Sequence, residues 1–429
     1  MTSHVTTEGG DVAPPRVPQP GSQATWRHNR LSAARVVDLT QVISGSVATM
    51  LMADFGAEVI KVEPPDGEPY RRYGTLVPGA TGGENLNVMR FNRNKRSVCI
   101  DLKTAAGREV LGELVAAADV VVENFRPGVM QRLGFDFARL KELNPNVVYT
   151  TISGYGHDDL LPSPNTTDPA YAILTEANAG LLHLAGDPGG RPVWMGFAMS
   201  DIFSGVLAFA GTVMALGEVD NGRGPQRVDI SMFDASLFMN DLPVNTFEVL
   251  GRVTGRGQYP LQAPWGPFPT ADGYLAVAIM SEREWTALCV AVGRPGLASD
   301  DRLQTGEQRA ANIDIIDKAV SGWLVDQSTE AAVANLQAAG VPCAPVNDAA
   351  GAARHPHTEA REMLVDVLHE DVGHTRVVGN PIKSSVPTRL REPSTIPRLG
   401  QDTRQVLREV LDRDSDAIDE LVEKGVVRG

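Results

Sequence analysis

Cysteine is scarce in this chain of 429 residues: Cys99, Cys289 and Cys343 are the only three. They lie far apart without C-x-x-C spacing, which argues against a disulfide framework and a zinc site, so no metal is expected and a reducing, cytoplasmic setting fits. Residues 1–29 are rich in Thr, Ser, Gly and Pro and nearly devoid of apolar side chains. They lack the charged start and hydrophobic centre of a secretion signal and read as a disordered N-terminal arm. Positive charge is in deficit, with 39 Lys and Arg against 53 Asp and Glu and a net charge of −14. That balance disfavours nucleic acid or an anionic membrane surface as a partner. The apolar run after Asp201 stops at Gly217, short of the roughly 20 residues that a bilayer span requires. No G-x-G-x-x-G follows the first strand, so NAD and its relatives lack their usual pyrophosphate cradle. No G-x-S-x-G elbow occurs, no Ser-His-Asp or Cys-His set can be singled out, and no internal repeat is visible. His355, His357 and Glu359 share a polar stretch too sparse in ligands for a metal site.

What is present is a strand and helix alternation. Val36 to Thr40 reads as a buried strand, Val47 to Phe55 as a helix ended by Gly56, and Glu58 to Glu63 as a second strand. The alternation continues with a strand over Ser97 to Leu102, a helix over Ala106 to Ala117 and a strand over Asp119 to Asn124. A helical stretch from Gly128 to Leu143 and a strand over Val147 to Ser153 follow, with a further strand at Arg227 to Met232. Such units build a mostly parallel sheet whose ligand crevice lies at the C-terminal strand ends. The stretch from Gly255 to Gly273 is rich in Pro and Gly and reads as a linker before a fresh strand at Tyr274. Ser281 and Glu284 form a capping box for the helix that follows. The expected organisation is a large α/β domain over 30–235, a linker over 236–272, a small domain over 273–346 and a C-terminal segment over 347–429. Asn92-Arg-Asn-Lys-Arg96 is a compact cationic loop, either a solvated face or, beside a crevice, a phosphate holder.

Between Arg191 and Glu218 the chain carries one formal charge, Asp201. A carboxylate in an apolar run is costly to bury unless something uses it. Two readings stand together here. Asp is a favoured N-cap, and Ile202, Val206, Phe209, Val213 and Leu216 after it step at helical spacing. A carboxylate held at a helix start is also placed to react. Asp168, in Asn165-Thr-Thr-Asp-Pro169, has a ready explanation as an Asp-Pro turn.

Taken in order, several segments resemble the family III CoA-transferases, the group that includes formyl-CoA transferase, carnitine CoA-transferase and α-methylacyl-CoA racemase. They are Val37-Asp-Leu-Thr40, Asp54-Phe-Gly-Ala-Glu-Val-Ile-Lys-Val-Glu63, Asn94-Lys-Arg-Ser97, Val122-Glu-Asn-Phe-Arg-Pro-Gly128, Ile152-Ser-Gly-Tyr-Gly156, Gly222-Arg-Gly224 and Val341-Pro-Cys-Ala-Pro-Val346. The resemblance covers nearly the whole chain from Arg35. It implies a large Rossmann-like parallel-sheet domain plus a smaller α+β domain, a C-terminal segment that returns to the large domain, and an interlocked homodimer. It implies that Asp201, in Asp201-Ile-Phe-Ser-Gly205, is the nucleophile for acyl-CoA, with Gly205 and Asp168 in support. Coenzyme A would be met by Val42, Ile100, Lys103, Asn124, Phe125 and Arg132, with Lys103 and Arg132 at phosphates. The partners implied are an acyl-CoA and a small carboxylic acid. Racemase members carry His-Asp where this chain reads Thr167-Asp168, and Thr167 cannot shuttle a proton. Ile43 replaces a substrate-side glutamine of formyl-CoA transferase, which puts oxalate as acceptor in doubt. An epimerase, racemase or CoA isomerase and an inactive CoA-binding protein are the competing readings. Ile43, Trp194, Met195, Phe197 and Trp265 are candidates for an apolar acyl chamber, or for plain core.

Overall fold

A computed structural model describes residues 30–77, 85–257, 262–385 and 394–429. The arm expected over residues 1–29 lies outside the described residues, as does a short stretch of the expected linker. Seven strands form the main sheet: β1 (Arg35–Asp38), β2 (Glu58–Glu63), β3 (Arg96–Ile100), β4 (Val120–Glu123), β5 (Val148–Ser153), β6 (Gln226–Ser231) and, at the edge, the last strand of the chain, Val427–Arg428. Spatially they run from that last strand through β3, β2, β1, β4 and β5 to β6, all parallel except the edge strand on β3. This is the doubly wound order of dinucleotide-binding folds, here without their glycine fingerprint.

Strand pleating divides the core. Val37, Leu39, Ile60, Val98 and Val121 face one side, where they meet Val110, Leu111, Leu114 and Val115 of the Ala105–Ala116 helix and Val406, Leu407, Ile418 and Leu421 near the C-terminus. Val36, Val59, Val120, Val122 and Val148 face the other, against Ala48 and Met52 of α1 (Ser44–Asp54) and Ala208, Ala215 and Leu216 of the long Met199–Asp220 helix. Near-continuous valine strands suit a sheet covered on both faces.

The Met199–Asp220 helix departs from expectation. Its enclosed stripe is Ser200, Ser204, Gly205, Ala208, Thr212, Ala215 and Leu216. Of the anticipated stripe only Leu216 is in that set, and Val213 is 40% exposed. Small side chains face inward because α1 and β6 come close: a Cβ at Gly205 would lie 2.4 Å from the Ser44 carbonyl oxygen, and one at Gly211 would lie 2.8 Å from Val228. By length and composition this helix, 22 residues with mean hydropathy 1.7, could cross a bilayer. Its enclosed stripe packs between α1 and the sheet.

Other boundaries move for local reasons. The stretch from Gly128 to Leu143 is two helices, Val129–Leu133 and Phe137–Leu143. Gly134, at φ +86°, ends the first in the left-handed region, and the Asp136 carboxylate caps the second through the Arg139 N–H at 2.8 Å. The expected linker takes in the end of helix Met232–Met239, helix Asp241–Leu250 and strand β7 (Trp265–Pro269). β7 pairs with β8 (Tyr274–Ala278), which pairs with β9 (Cys343–Pro345), all antiparallel. Ser281 and Glu284 do form a reciprocal capping box. A third sheet, of β10 (Leu364–His369), β11 (Gly373–Val378) and β12 (Ser394–Thr395), had no counterpart in the sequence pattern.

The Asn92-to-Arg96 loop is neither a solvated face nor a phosphate holder. Arg93 grips Asp54 with bonds of 2.9 and 2.6 Å, and Arg96 pairs with Glu58 and Glu409. Lys95, fully enclosed, donates to Asp38 at 2.9 Å, to Thr49 at 2.8 Å and to Asn92 at 3.2 Å. Burial alone would raise the Asp38 carboxyl, but the Lys95 and Lys61 ammonium groups outweigh it and hold it at about 2. Removing one partner of such a pair strands a charge. Lys95→Met is therefore expected to lose about 3–5 kcal/mol of stability in urea denaturation. A loss below about 1 kcal/mol would show that Lys61 alone satisfies Asp38. The Asp38 contribution is present above the unfolded carboxyl range and fades as pH falls towards 2.

Candidate active site

The sheet order reverses between β1 and β4, and such a switch point opens a crevice beyond the carboxyl ends of the strands. Two turns line it, one running from β1 into α1 and one after β4. The Asn124 side chain ties them together. Its Oδ1 accepts the Gln41 N–H at 2.8 Å, and its Nδ2 donates to the Gln41 carbonyl at 2.8 Å and to Ser44 Oγ at 3.0 Å. Because the Asn124 amide can only donate there, the Ser44 proton is left for another acceptor. Its neighbour is the Asp201 carboxylate.

Asp201 reaches this point because Gly205, one turn later, lets the long helix press against the start of α1. With any side chain at Gly205 the Ser44 carbonyl and Val47 would have to move. The structure corrects the capping assignment. The helix begins at Met199, its N-cap is Ala198 without a side-chain bond, and Asp201 lies inside the first turn. The Ser200 N–H is taken instead by Glu176 Oε1 at 3.0 Å. Glu176 comes from helix Ala172–Asn178, and its other oxygen accepts the Trp194 indole N–H at 3.0 Å. Burial pushes the Asp201 carboxyl up, the Glu176 charge adds to the rise and the Ser44 hydroxyl opposes it, leaving it at about 7.

An apolar cluster lies beside the carboxylate: Ile43, Val47, Met50, Leu51 and Phe91, with Val42, Tyr70 and the Asp201 neighbours Ala198 and Ile202 packed against it. Tyr70 belongs to α2 (Pro69–Arg72) and Phe91 to α3 (Leu86–Phe91). Val42 adopts φ +63°, a left-handed conformation that a β-branched residue takes only under constraint. The constraint is the buried Glu68 carboxylate, which accepts the Val42 N–H at 2.9 Å and lies 3.6 Å from Lys61 Nζ. Of the expected acyl-chamber residues, Ile43 belongs to this cluster. Trp194, Met195, Phe197 and Trp265 are 41%, 60%, 47% and 41% exposed, so plain core does not describe them.

The remaining expected contacts are dispersed around the crevice. Phe125 is half-buried against the core, its N–H held by Glu123 Oε2 at 2.7 Å. Lys103 and Arg132 are exposed, the first in the turn after β3 and the second on helix Val129–Leu133. Ile100 is fully enclosed beside Val427, so its side chain cannot touch a ligand. Asp168 is exposed and bonded to Asn165 Nδ2 at 2.7 Å, and no hydrogen bond or ion pair joins it to Asp201. Sequence reasoning missed Ser44, Glu68, Tyr70 and Glu176. Starting the first helix at Ser44 rather than Val47 would have exposed the first of these. The others depend on long-range packing that leaves no local pattern.

With this geometry in hand, the family assignment is direct. The model of CoA-transferase family III matches residues 31–403. The chain is 34% identical to an acetyl-CoA:oxalate CoA-transferase of Acetobacter aceti, over 82% of this chain and 88% of that one. It is 32% identical to the beta subunit of a succinyl-CoA–L-malate CoA-transferase of Chloroflexus aurantiacus, over 92% and 98% of the two chains. A CaiB/BaiF family protein from Brucella suis superposes with a TM-score of 0.79 at 28% identity, covering 90% of this chain and all (100%) of that one. The chain belongs to CoA-transferase family III. It is a CoA-transferase enzyme.

Ser44 opposes the rise of the Asp201 carboxyl, so Ser44→Ala should move that titration above about 7. Infrared difference spectra of the carboxyl band across pH, with Asp201→Asn as the blank, measure it. An unmoved midpoint would remove Ser44 from the account.

Proposed function

We propose that the enzyme moves coenzyme A from an acyl-CoA to a carboxylic acid through covalent intermediates on Asp201. One observation carries the reading: the Asp201 carboxylate stands beside an apolar cluster at the switch-point crevice with no main-chain N–H donating to it among the described residues. Such a group is desolvated and, apart from the Ser44 hydroxyl, its lone pairs are open, which suits a nucleophile and shields an anhydride from water.

In the first step an Asp201 oxygen attacks the thioester carbonyl, the C–S bond breaks and CoA thiolate leaves, giving a mixed anhydride. The thiolate then attacks the Asp201 carbonyl carbon and expels the donor carboxylate, leaving an aspartyl-CoA thioester. An acceptor carboxylate attacks that thioester and releases thiolate again. Attack of the thiolate on the acceptor's carbonyl forms the new acyl-CoA and frees Asp201. No water is consumed and no proton is gained. The named relatives, which exchange CoA between acids including oxalate and malate, support this class of chemistry.

The bound CoA would lie along the two turns. Asn124 and Val42 shape its path, Phe125 gives an apolar edge, and Lys103 and Arg132 are the exposed cations for its phosphates. Ile100, fully enclosed, supports the strand and makes no contact with CoA, and Asp168 stays a turn residue. Thr167 offers no imidazole for α-proton abstraction, so racemization is not assigned. A second copy of the chain completes the assembly in this reading. Met214, Phe238, Leu250 and Val253 stand 68%, 70%, 65% and 69% exposed, an apolar surface that a partner would cover. Light scattering is expected to report twice the 45.9 kDa chain mass, and a monomer at micromolar concentration would overturn it.

Asp201→Asn is expected to fold and bind CoA but to transfer none. Mass spectrometry of the wild type with acyl-CoA should find a CoA adduct on Asp201. Transfer must rise with pH through about 7, because the protonated carboxyl is no nucleophile. A fully active Asp201→Asn enzyme would sink the mechanism.

A further inference from the structure

Among the described residues, Arg90 stands beside the apolar cluster next to Asp201 as a cation without a carboxylate partner. Arg90 lies on α3, half-buried, with its guanidinium 4.5 Å from the centroid of the Phe91 ring. Phe91 packs with Ile43 and Val47 and is one cluster with Ala198 and Ile202, the residues that flank Asp201. Neighbouring cations are all engaged: Arg71 by Glu63, Arg93 by Asp54, Lys95 by Asp38 and Arg96 by Glu58. Arg90 has no carboxylate within ion-pair distance among the described residues. Of its five N–H donors, one makes a single long bond of 3.4 Å to Asn87 Oδ1. Tyr70 packs in the same cluster as Phe91 and the residues beside Asp201. Its phenol is pushed up by burial and by the Asp201 charge, and Arg90 pulls it down.

The partly buried Arg90 guanidinium leaves most of its N–H donors open beside the cluster. A site that already holds Asp201 and Glu176 also repels a second negative charge on any acyl group. Resting on the CoA-transfer reading above, we propose that Arg90 is the specificity residue for a distal carboxylate, so that the acids exchanged at Asp201 are dicarboxylates. The guanidinium fork receives the far carboxylate. The near carboxylate is left to react with the aspartyl thioester.

The test compares succinate with butyrate, and glutarate with its monoamide, as CoA acceptors. The wild type should favour each dicarboxylate by tenfold or more in kcat/KM. Arg90→Gln should lose about ten- to a hundredfold on the dicarboxylates, mostly in KM, the range for a lost charge-assisted hydrogen bond. It should change the monocarboxylates by less than about twofold, and Arg90→Lys should fall between. The CoA adduct on Asp201, formed from succinyl-CoA at saturation without acceptor, shows that the variant is folded and competent. Equal use of both acids by the wild type overturns the proposal, as does an equal loss on both in Arg90→Gln, while the adduct still forms. Absence of the adduct in the wild type overturns the CoA-transfer reading, and this assignment with it.

Discussion

The close approach of the Ser44 carbonyl to Gly205 is the contact on which the site depends. It sets the distance between α1 and the Met199–Asp220 helix, and neither element could bring Ser44 and Asp201 together without it. The helix gives up large inward side chains for this purpose. Its enclosed face of Ser, Gly, Ala and Thr buries less apolar area per residue than a leucine face would. Close packing of backbones replaces some of that loss by dispersion, and the Thr150–Thr212 hydroxyl contact at 2.7 Å satisfies the polar atoms that small polar residues introduce.

Beneath the crevice lies a layer of buried charge that makes the turns rigid. Lys61 donates to the Thr40 carbonyl at 2.9 Å and faces Glu68, which in turn holds Val42 in its left-handed conformation. Asp38 accepts the Thr40 hydroxyl at 2.6 Å and the Lys95 ammonium at 2.9 Å. Each ion is enclosed, so each is costly unless its partners stay in place. The network therefore resists any motion of the Thr40-to-Ser44 turn that would pull its members away from one another. On the opposite turn Glu123, raised by burial to about 7, accepts the Phe125 N–H and the Tyr149 hydroxyl. The crevice is thus walled by main chain that buried carboxylates hold from behind.

Much of the fold was legible because a parallel sheet covered on both faces writes long apolar strands into the chain. Glu58–Glu63 matches its expected limits, and the other parallel strands of the main sheet shift by one or two residues, while the antiparallel edge strand Val427–Arg428 was not expected. The third sheet was not legible. β10 to β12 are half-exposed strands whose pairing sets residues far apart in the chain side by side. At the candidate site, Asn124 and Phe125 were read from a segment that carries the resemblance, and Asp201 from the motif that the resemblance implies for the nucleophile. The cap assignment failed for a physical reason: local propensity favours Asp at a helix start, while the actual capping carboxylate, Glu176, belongs to another helix. The cationic loop failed likewise, because the carboxylates that enclose it come from α1, β1, β2 and the C-terminal helix.

That Glu176 caps the helix changes what Asp201 can do. A carboxylate that accepts main-chain N–H bonds at a helix start is stabilised as an anion, its pKa falls and its lone pairs are occupied. Here the Ser200 N–H goes to Glu176, which sits close enough to raise the Asp201 carboxyl rather than lower it. The same replacement of one carboxylate by another thus removes a stabilising bond from Asp201 and adds a repelling charge. Only the Ser44 hydroxyl acts in the other direction, and Asn124 fixes its orientation. In the proposed mechanism, acylation would remove that charge from its desolvated site. Desolvation raises the ground state but not the neutral acyl-aspartate, the direction in which a desolvated nucleophile accelerates transfer.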